Sequence, residues 1–160
     1  MTLSDEIVAL DQVNMTPHLR SAGETFDPAR RRVDLARELA QGARLLTLRR
    51  HDALVAYLEY LPPHDGALRV KSLQVHPAHH GTAVLRPLLA QAADAMDGWP
   101  DALLQSGAHA SNAASIRLHR GLGFRWVGER DGRFLFEAKV AVLRSTLLRF
   151  SSGTPRAATP

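Results

Sequence analysis

The sequence predicts an α/β fold: a mixed, mainly antiparallel sheet with helices on both of its faces. Three observations carry that expectation. Arg44 to Leu48 and Ala53 to Leu61 flank the polar Arg49, Arg50, His51 and Asp52, which reads as an antiparallel hairpin. Phe124 to Val127 and Arg133 to Val140 bracket Gly128 to Gly132, and the Asp131-Gly132 pair is a strong hairpin signal. Between the two hairpins the pattern runs strand, helix, strand, helix, which places parallel strands at the centre.

Composition bounds the rest. The chain has 160 residues, 45% hydrophobic and 22% charged, enough for one domain with its own core and too short for two large ones. We read residues 1–150 as that domain and 151–160, SSGTPRAATP, as a flexible tail. With no cysteine, disulfides, thiolate metal sites and cysteine nucleophiles are excluded. The formal charge of +4 comes from 18 Arg and two Lys against 16 acidic residues, too small an excess to predict nucleic-acid binding. No apolar run reaches the roughly 20 residues that span a bilayer, and MTLSDEIVALDQ lacks the basic and apolar regions of a secretory signal, so a cytoplasmic location is expected.

Along the chain, Glu6 to Leu10 suits a short strand, and Asp11 to Glu24 a short helix and a loop. Asp27 and Pro28 resemble an N-cap and first helical position, followed by Ala29, Val33, Ala36, Leu39 and Ala40 at helical spacing up to Gly42. The hairpin 44–61 comes next, then a third strand from Ala67 to Val75. Thr82 to Met96 carries Val84, Leu88, Leu89, Ala92, Ala93 and Met96 at helical spacing, with Pro87 near enough to its start to be tolerated. Ala102 to Gln105 is a short strand, Ser111 or Asn112 caps a helix to Leu122, and Gly123 ends it. Ala141 to Phe150 suits either a helix or a strand extension, and this extra apolar element suits a homodimer.

The connection His79-His80-Gly81-Thr82-Ala83 opens a helix. Main-chain N–H groups there, with the helix dipole, suit phosphate oxygens, although taken alone such a loop reads first as a turn. His76, His79 and His80 invite a metal reading, but no carboxylate or distant His pair completes a ligand set, so no metal is expected. Arg30, Arg31 and Arg32 read as a solvated helix face.

Two motifs, in order and suitably spaced, resemble those of the GNAT superfamily of acyl-CoA-dependent N-acetyltransferases. LQVHPAHHGTAVLRPLL, from Leu73 to Leu89, is similar to its strand, V-x-P, pyrophosphate loop and helix. NAASIRLHRGLGF, from Asn112 to Phe124, is similar to its N-x-x-A-x-x-L-Y-x-x-x-G-F element. His80, Ala83 and Leu85 stand at the Gln/Arg, first-glycine and last-glycine positions of the loop, Gly81 is an additional glycine, and His119 stands where Tyr is usual.

The resemblance implies a GNAT-like acyl-CoA N-acyltransferase fold and transfer of an acetyl group from acetyl-CoA, as cosubstrate, to a primary amine by direct attack in a ternary complex. Leu73 and Val75 would pair with the pantetheine arm as an added strand. Val75, where the strand is expected to bulge, would also give its N–H to the thioester oxygen. His80, Gly81, Thr82, Ala83 and Leu85 would surround the pyrophosphate, with Arg86 near a phosphate, and Asn112 and Ser115 would lie by the pantetheine. His119 would protonate the departing thiolate. The third strand offers Arg69 and Lys71 where many relatives hold a carboxylate, leaving Glu59, with His76 behind it, as the candidate base. The acceptor, an amine-bearing small molecule, peptide or protein, would enter between Met15 to Pro28 and the Asp131-Gly132 hairpin. The alternative is a degenerate member that holds acyl-CoA as a sensor or scaffold without turnover.

Overall fold

A computed structural model describes residues 1–79 and 81–152. The first helix, α1 (Leu3–Ser21), replaces the expected strand at Glu6 to Leu10 and most of the expected loop after it. Its cause is local and long-range together. Thr2 and Asp5 form a reciprocal capping box, and Ile7, Leu10 and Asp11 recur on one face, where the interior buries them. Helix α2 (Pro28–Ala40) begins as expected, with Asp27 accepting from the Arg30 N–H. Its inward face differs: Leu35 is buried with Leu39 beside it, while Val33 is exposed.

The strands are β1 (Arg44–Arg50), β2 (Ala53–Leu61), β3 (Ala67–Val75), β4 (Leu103–His109), β5 (Arg125–Arg130) and β6 (Arg133–Lys139). They form one sheet in the order β1-β2-β3-β4-β6-β5, antiparallel except for the parallel pair β3 and β4. The mixed, mainly antiparallel sheet is therefore as expected. The second hairpin turns at Asp131 and Gly132, both with positive φ, the conformation its tight turn requires. In β3 the register against β2 slips by one residue at Lys71, between Val70 and Ser72. The bulge thus lies at Lys71, not at Val75, which pairs regularly with Ala56.

Helix α3 (Thr82–Ala95) contains Pro87, whose missing N–H frees the Ala83 carbonyl; Arg50 Nη2 donates to that oxygen at 3.3 Å. Helix α4 (Ala113–Gly121) is capped by Asn112, whose Oδ1 accepts from Ser115 N at 3.0 Å. The ambiguous last segment is helix α5 (Val140–Ser152); Val140, Leu143 and Leu147 pack within the chain in one core with Leu88, Leu89 and Ala93 of α3. Residues 153–160 of the expected tail lie outside the described residues. A smaller core on the other face joins Ile7 and Leu10 of α1, Leu35 of α2 and Tyr57 of β2. Val84 and Met96, from the apolar stripe of residues 82–96, are buried as core residues. Among the described residues no helix is long and apolar enough to cross a membrane.

Candidate active site

The parallel pair β3 and β4 touches over only three residue pairs, Ala67 to Arg69 against Leu103 to Gln105. Beyond them β3 continues to Val75, while β4 pairs outward with β6 as far as His109. The inner edges of two neighbouring strands therefore part, leaving main-chain groups without a sheet partner. His76 N–H donates to Val55 O across β2 at 2.8 Å, so strand alternation turns the main-chain groups of Leu73 and Val75 toward the gap. The Val75 carbonyl there accepts from Asn14 Nδ2 of α1 at 3.0 Å. A cleft of about 310 Å³ occupies the gap, with Leu73, Ser106 and Asn112 among its walls. It extends to Met15, Leu19 and Phe26, within the segment expected to line the acceptor side.

At the start of α3, Gly81 has φ 117° and ψ 177°, a combination essentially reserved for glycine, and no side chain caps the helix. The N–H groups of Val84 and Leu85 return to Gly81 O at 3.3 and 3.2 Å, while those of Thr82 and Ala83 have no partner among the described residues. Leu85 accordingly differs from its expected role: its N–H is used by the helix, and its side chain packs against the core. Arg86 lies over the Phe150 ring, 5.9 Å from its centroid, rather than lining the cleft. His80 lies outside the described residues. His76 closes the turn after β3, its Nδ1 accepting from Ala78 N at 3.1 Å. The unpaired strand edge, the glycine-opened helix start and the amide of Asn112 facing the cleft form a donor set that fits an extended amide-containing arm ending in phosphates.

His119 is buried, stacked 4.5 Å from the Phe136 ring and edge-on to Phe124. Its Nδ1 lies 2.7 Å from Ser115 O, which accepts only, so Nδ1 carries the hydrogen. In the neutral ring Nε2 then accepts from Ser106 Oγ at 2.8 Å. Burial lowers the His119 pKa, and the charge of Arg133 lowers it further. Ser106 escapes the sequence reading because that reading ended the strand at Gln105; a small polar residue after Leu103-Leu104 was its only signal.

Across the cleft a charged cluster binds α1, α2 and β2 together. Arg31 donates from Nε to Asp11 Oδ2 at 2.6 Å, from Nη1 to Glu38 Oε2 at 2.9 Å and from Nη2 to Glu59 Oε2 at 2.7 Å. Lys71, at the bulge, pairs with Glu38 Oε1 at 3.0 Å. Tyr57 donates to Asp11, and its oxygen lies 2.9 Å from Ser72 Oγ. Arg31 is thus no part of a solvated face. Burial works to lower its pKa, but Asp11, Tyr57 and Glu59 raise it on balance. Glu59 is fully buried behind Arg31 and does not line the cleft, and its Oε1 has no hydrogen-bond partner among the described residues. Burial, with Glu38 alongside, pushes its pKa up to about 7 against the pull of Arg31. Glu38 does line the cleft, and Lys71 and Arg31 hold it below its ordinary value despite burial. Glu38 and Asp11 were invisible as site residues in sequence because partners from distant segments create their environment.

The chain matches the acetyltransferase (GNAT) family over residues 9–124. An L-methionine sulfoximine/L-methionine sulfone acetyltransferase of Salmonella typhimurium is 40% identical over 70 residues, 40% of this chain and 41% of that protein, so the match spans about two-fifths of the relative's length. The PaiA N-acetyltransferase of Thermoplasma acidophilum, solved with coenzyme A, superposes with a TM-score of 0.63 at 14% identity, covering 87% of this chain and 95% of the other. The yncA structure of Salmonella typhimurium, solved with acetyl-CoA, gives 0.51 at 23% identity over 81% and 88% of the two chains. At these identities the structures establish a shared fold.

Proposed function

Because this chain belongs to the GNAT acetyltransferase family, we propose that it transfers the acetyl group of acetyl-CoA to a primary amine by direct attack within a ternary complex. The observation that carries this reading is the parted edge of β3 and β4, which offers Leu73 and Val75 main-chain groups to an added strand-like arm. A relative acting on L-methionine sulfoximine or L-methionine sulfone supports a small amine-bearing acceptor. When bound, acetyl-CoA supplies the thioester carbon that the amine attacks.

The chain's own groups divide the remaining work. Thr82 and Ala83 N–H groups, at the positive end of α3, hold phosphate oxygens, and Asn112 donates to the pantetheine arm. Leu73 and Val75 fix the arm, with Asn14 giving up the Val75 carbonyl as it seats. The acceptor's ammonium must lose a proton before attack. Glu38, the carboxylate that faces the cleft, takes it, while Glu59, bound to the same Arg31, sets the charge balance around it. His119 returns a proton to the departing thiolate through Ser106 Oγ. Its lowered pKa makes the imidazolium scarcer but a stronger acid.

The test is an amine screen with acetyl-CoA, following thiol release and acetylated product by mass spectrometry, for the wild type, His119→Ala, Asn112→Ala and Glu59→Gln. Amine-dependent release that falls in all three variants is expected. Tight acetyl-CoA binding without amine-dependent release would instead establish a sensor or scaffold.

A further inference from the structure

The cleft is lined by two arginines with opposite surroundings. Arg31 is held by three carboxylates, whereas the side chain of Arg133 makes one hydrogen bond among the described residues, from Nη2 to Gly107 O at 3.3 Å. Among the described residues no carboxylate pairs with Arg133, so most of its five N–H donors are open.

Its position is built by the sheet. Leu104 points into the core under α3 and α5, so Gly107 and His109, of opposite parity on β4, face the side of α1 and α2. Arg133 pairs with His109 and lies on that face as well. Gly107 lies beneath it: a Cβ there would meet Arg133 Nε and Nη2 at ordinary contact distances of 3.7 and 3.8 Å and would crowd Phe134 O at 3.2 Å. The guanidinium therefore lies over bare backbone beside the gap where acyl transfer is proposed. Arg133 is exposed as a whole, and the part of it that lies against the cleft is desolvated enough to lower its pKa. On the facing wall stand the carboxylates of Asp11 and Glu38, and Met15, Leu19 and Phe26 add an apolar surface.

We propose that the acceptor is an α-amino acid with an apolar side chain, its carboxylate taken by Arg133 while its amine turns to the gap between β3 and β4. This rests on the acetyltransferase reading above. A planar guanidinium with free donors matches a carboxylate in a two-point pairing. The amine then falls between Arg133 and the Glu38 side of the cleft, and the side chain meets Met15, Leu19 and Phe26.

The probes are L-leucine, L-methionine and L-phenylalanine, each tested beside its own C-terminal amide with acetyl-CoA. The amides carry the less basic amine, so a preference for the acids cannot come from a larger fraction of free amine. In the wild type, kcat/KM for the acids should exceed that for the amides by about 10- to 100-fold, the worth of a charged hydrogen-bonded pair. Arg133→Ala should bring that ratio near one, chiefly through KM, and Arg133→Lys should restore part of it. A wild type indifferent to the carboxylate, or an Arg133→Ala variant that keeps the ratio, overturns the assignment. If no probe turns over, the transferase reading is the one that fails for this class. Calorimetric titration of the same probes into acetyl-CoA-loaded protein then decides Arg133: acids bound over amides only when Arg133 is present sustains it, and equal binding or none overturns it.

Discussion

Replacing Glu59 by Gln removes the carboxylate that the fold holds near neutrality while preserving its shape and one acceptor. Glu59 titrates at about 7 in the folded protein against an ordinary 4.5. Because the folded value is raised, its stabilising contribution is complete below about pH 4.5 and is lost as pH rises through about 7. The difference of about 2.5 pKa units corresponds to about 3 kcal/mol at most. Gln cannot ionise, so the variant should lack this loss. Urea unfolding of both proteins from pH 4.5 to 8.5 measures it: relative to wild type, Glu59→Gln should gain about 3 kcal/mol across that range, most of it between pH 5 and 7.5. Glu59 Oε1 has no hydrogen-bond partner among the described residues, so Gln breaks no contact at that oxygen. A stability difference that stays flat with pH would falsify the claim that this carboxylate keeps its proton near neutrality.

Three further outcomes follow from the same geometry. Arg31→Met strips the counter-charge from Asp11, Glu38 and Glu59 and should cost about 3–5 kcal/mol in chemical denaturation; a loss under about 1 kcal/mol, the range of exposed pairs, would show the cluster to be solvated. Gly81→Ala must place a Cβ at φ 117°, so the loop should shift and calorimetric affinity for acetyl-CoA fall about tenfold or more; unchanged affinity would mean that this turn does not hold the cosubstrate. Ser106→Ala leaves buried His119 Nε2 without its donor and should lower stability by about 1–3 kcal/mol and slow thiol release in single-turnover mixing; full activity would remove Ser106 from the proton path.

What the sequence determined by itself is the set of features written in neighbouring residues. Asp27-Pro28 starts α2, Asn112 caps α4 and Asp131-Gly132 turns the second hairpin, because caps and tight turns are settled within a few residues. The bounds of β3 and the apolar stripe of α3 follow from periodicity in the same way. Asn112 and Ser115, both in the second family motif, line the cleft. The tertiary structure decided everything that depends on which distant segments meet. Glu6 to Leu10 is helical because a capped amphipathic face found a sheet to cover, and Arg31 is buried because Asp11, Glu38 and Glu59 converge on it from three elements. The bulge at Lys71, the short contact of β3 with β4 and the seating of Arg133 over Gly107 are matters of register between strands. Burial and proximity, rather than residue type, set the charge states at this cleft, and both arise only when the chain closes on itself.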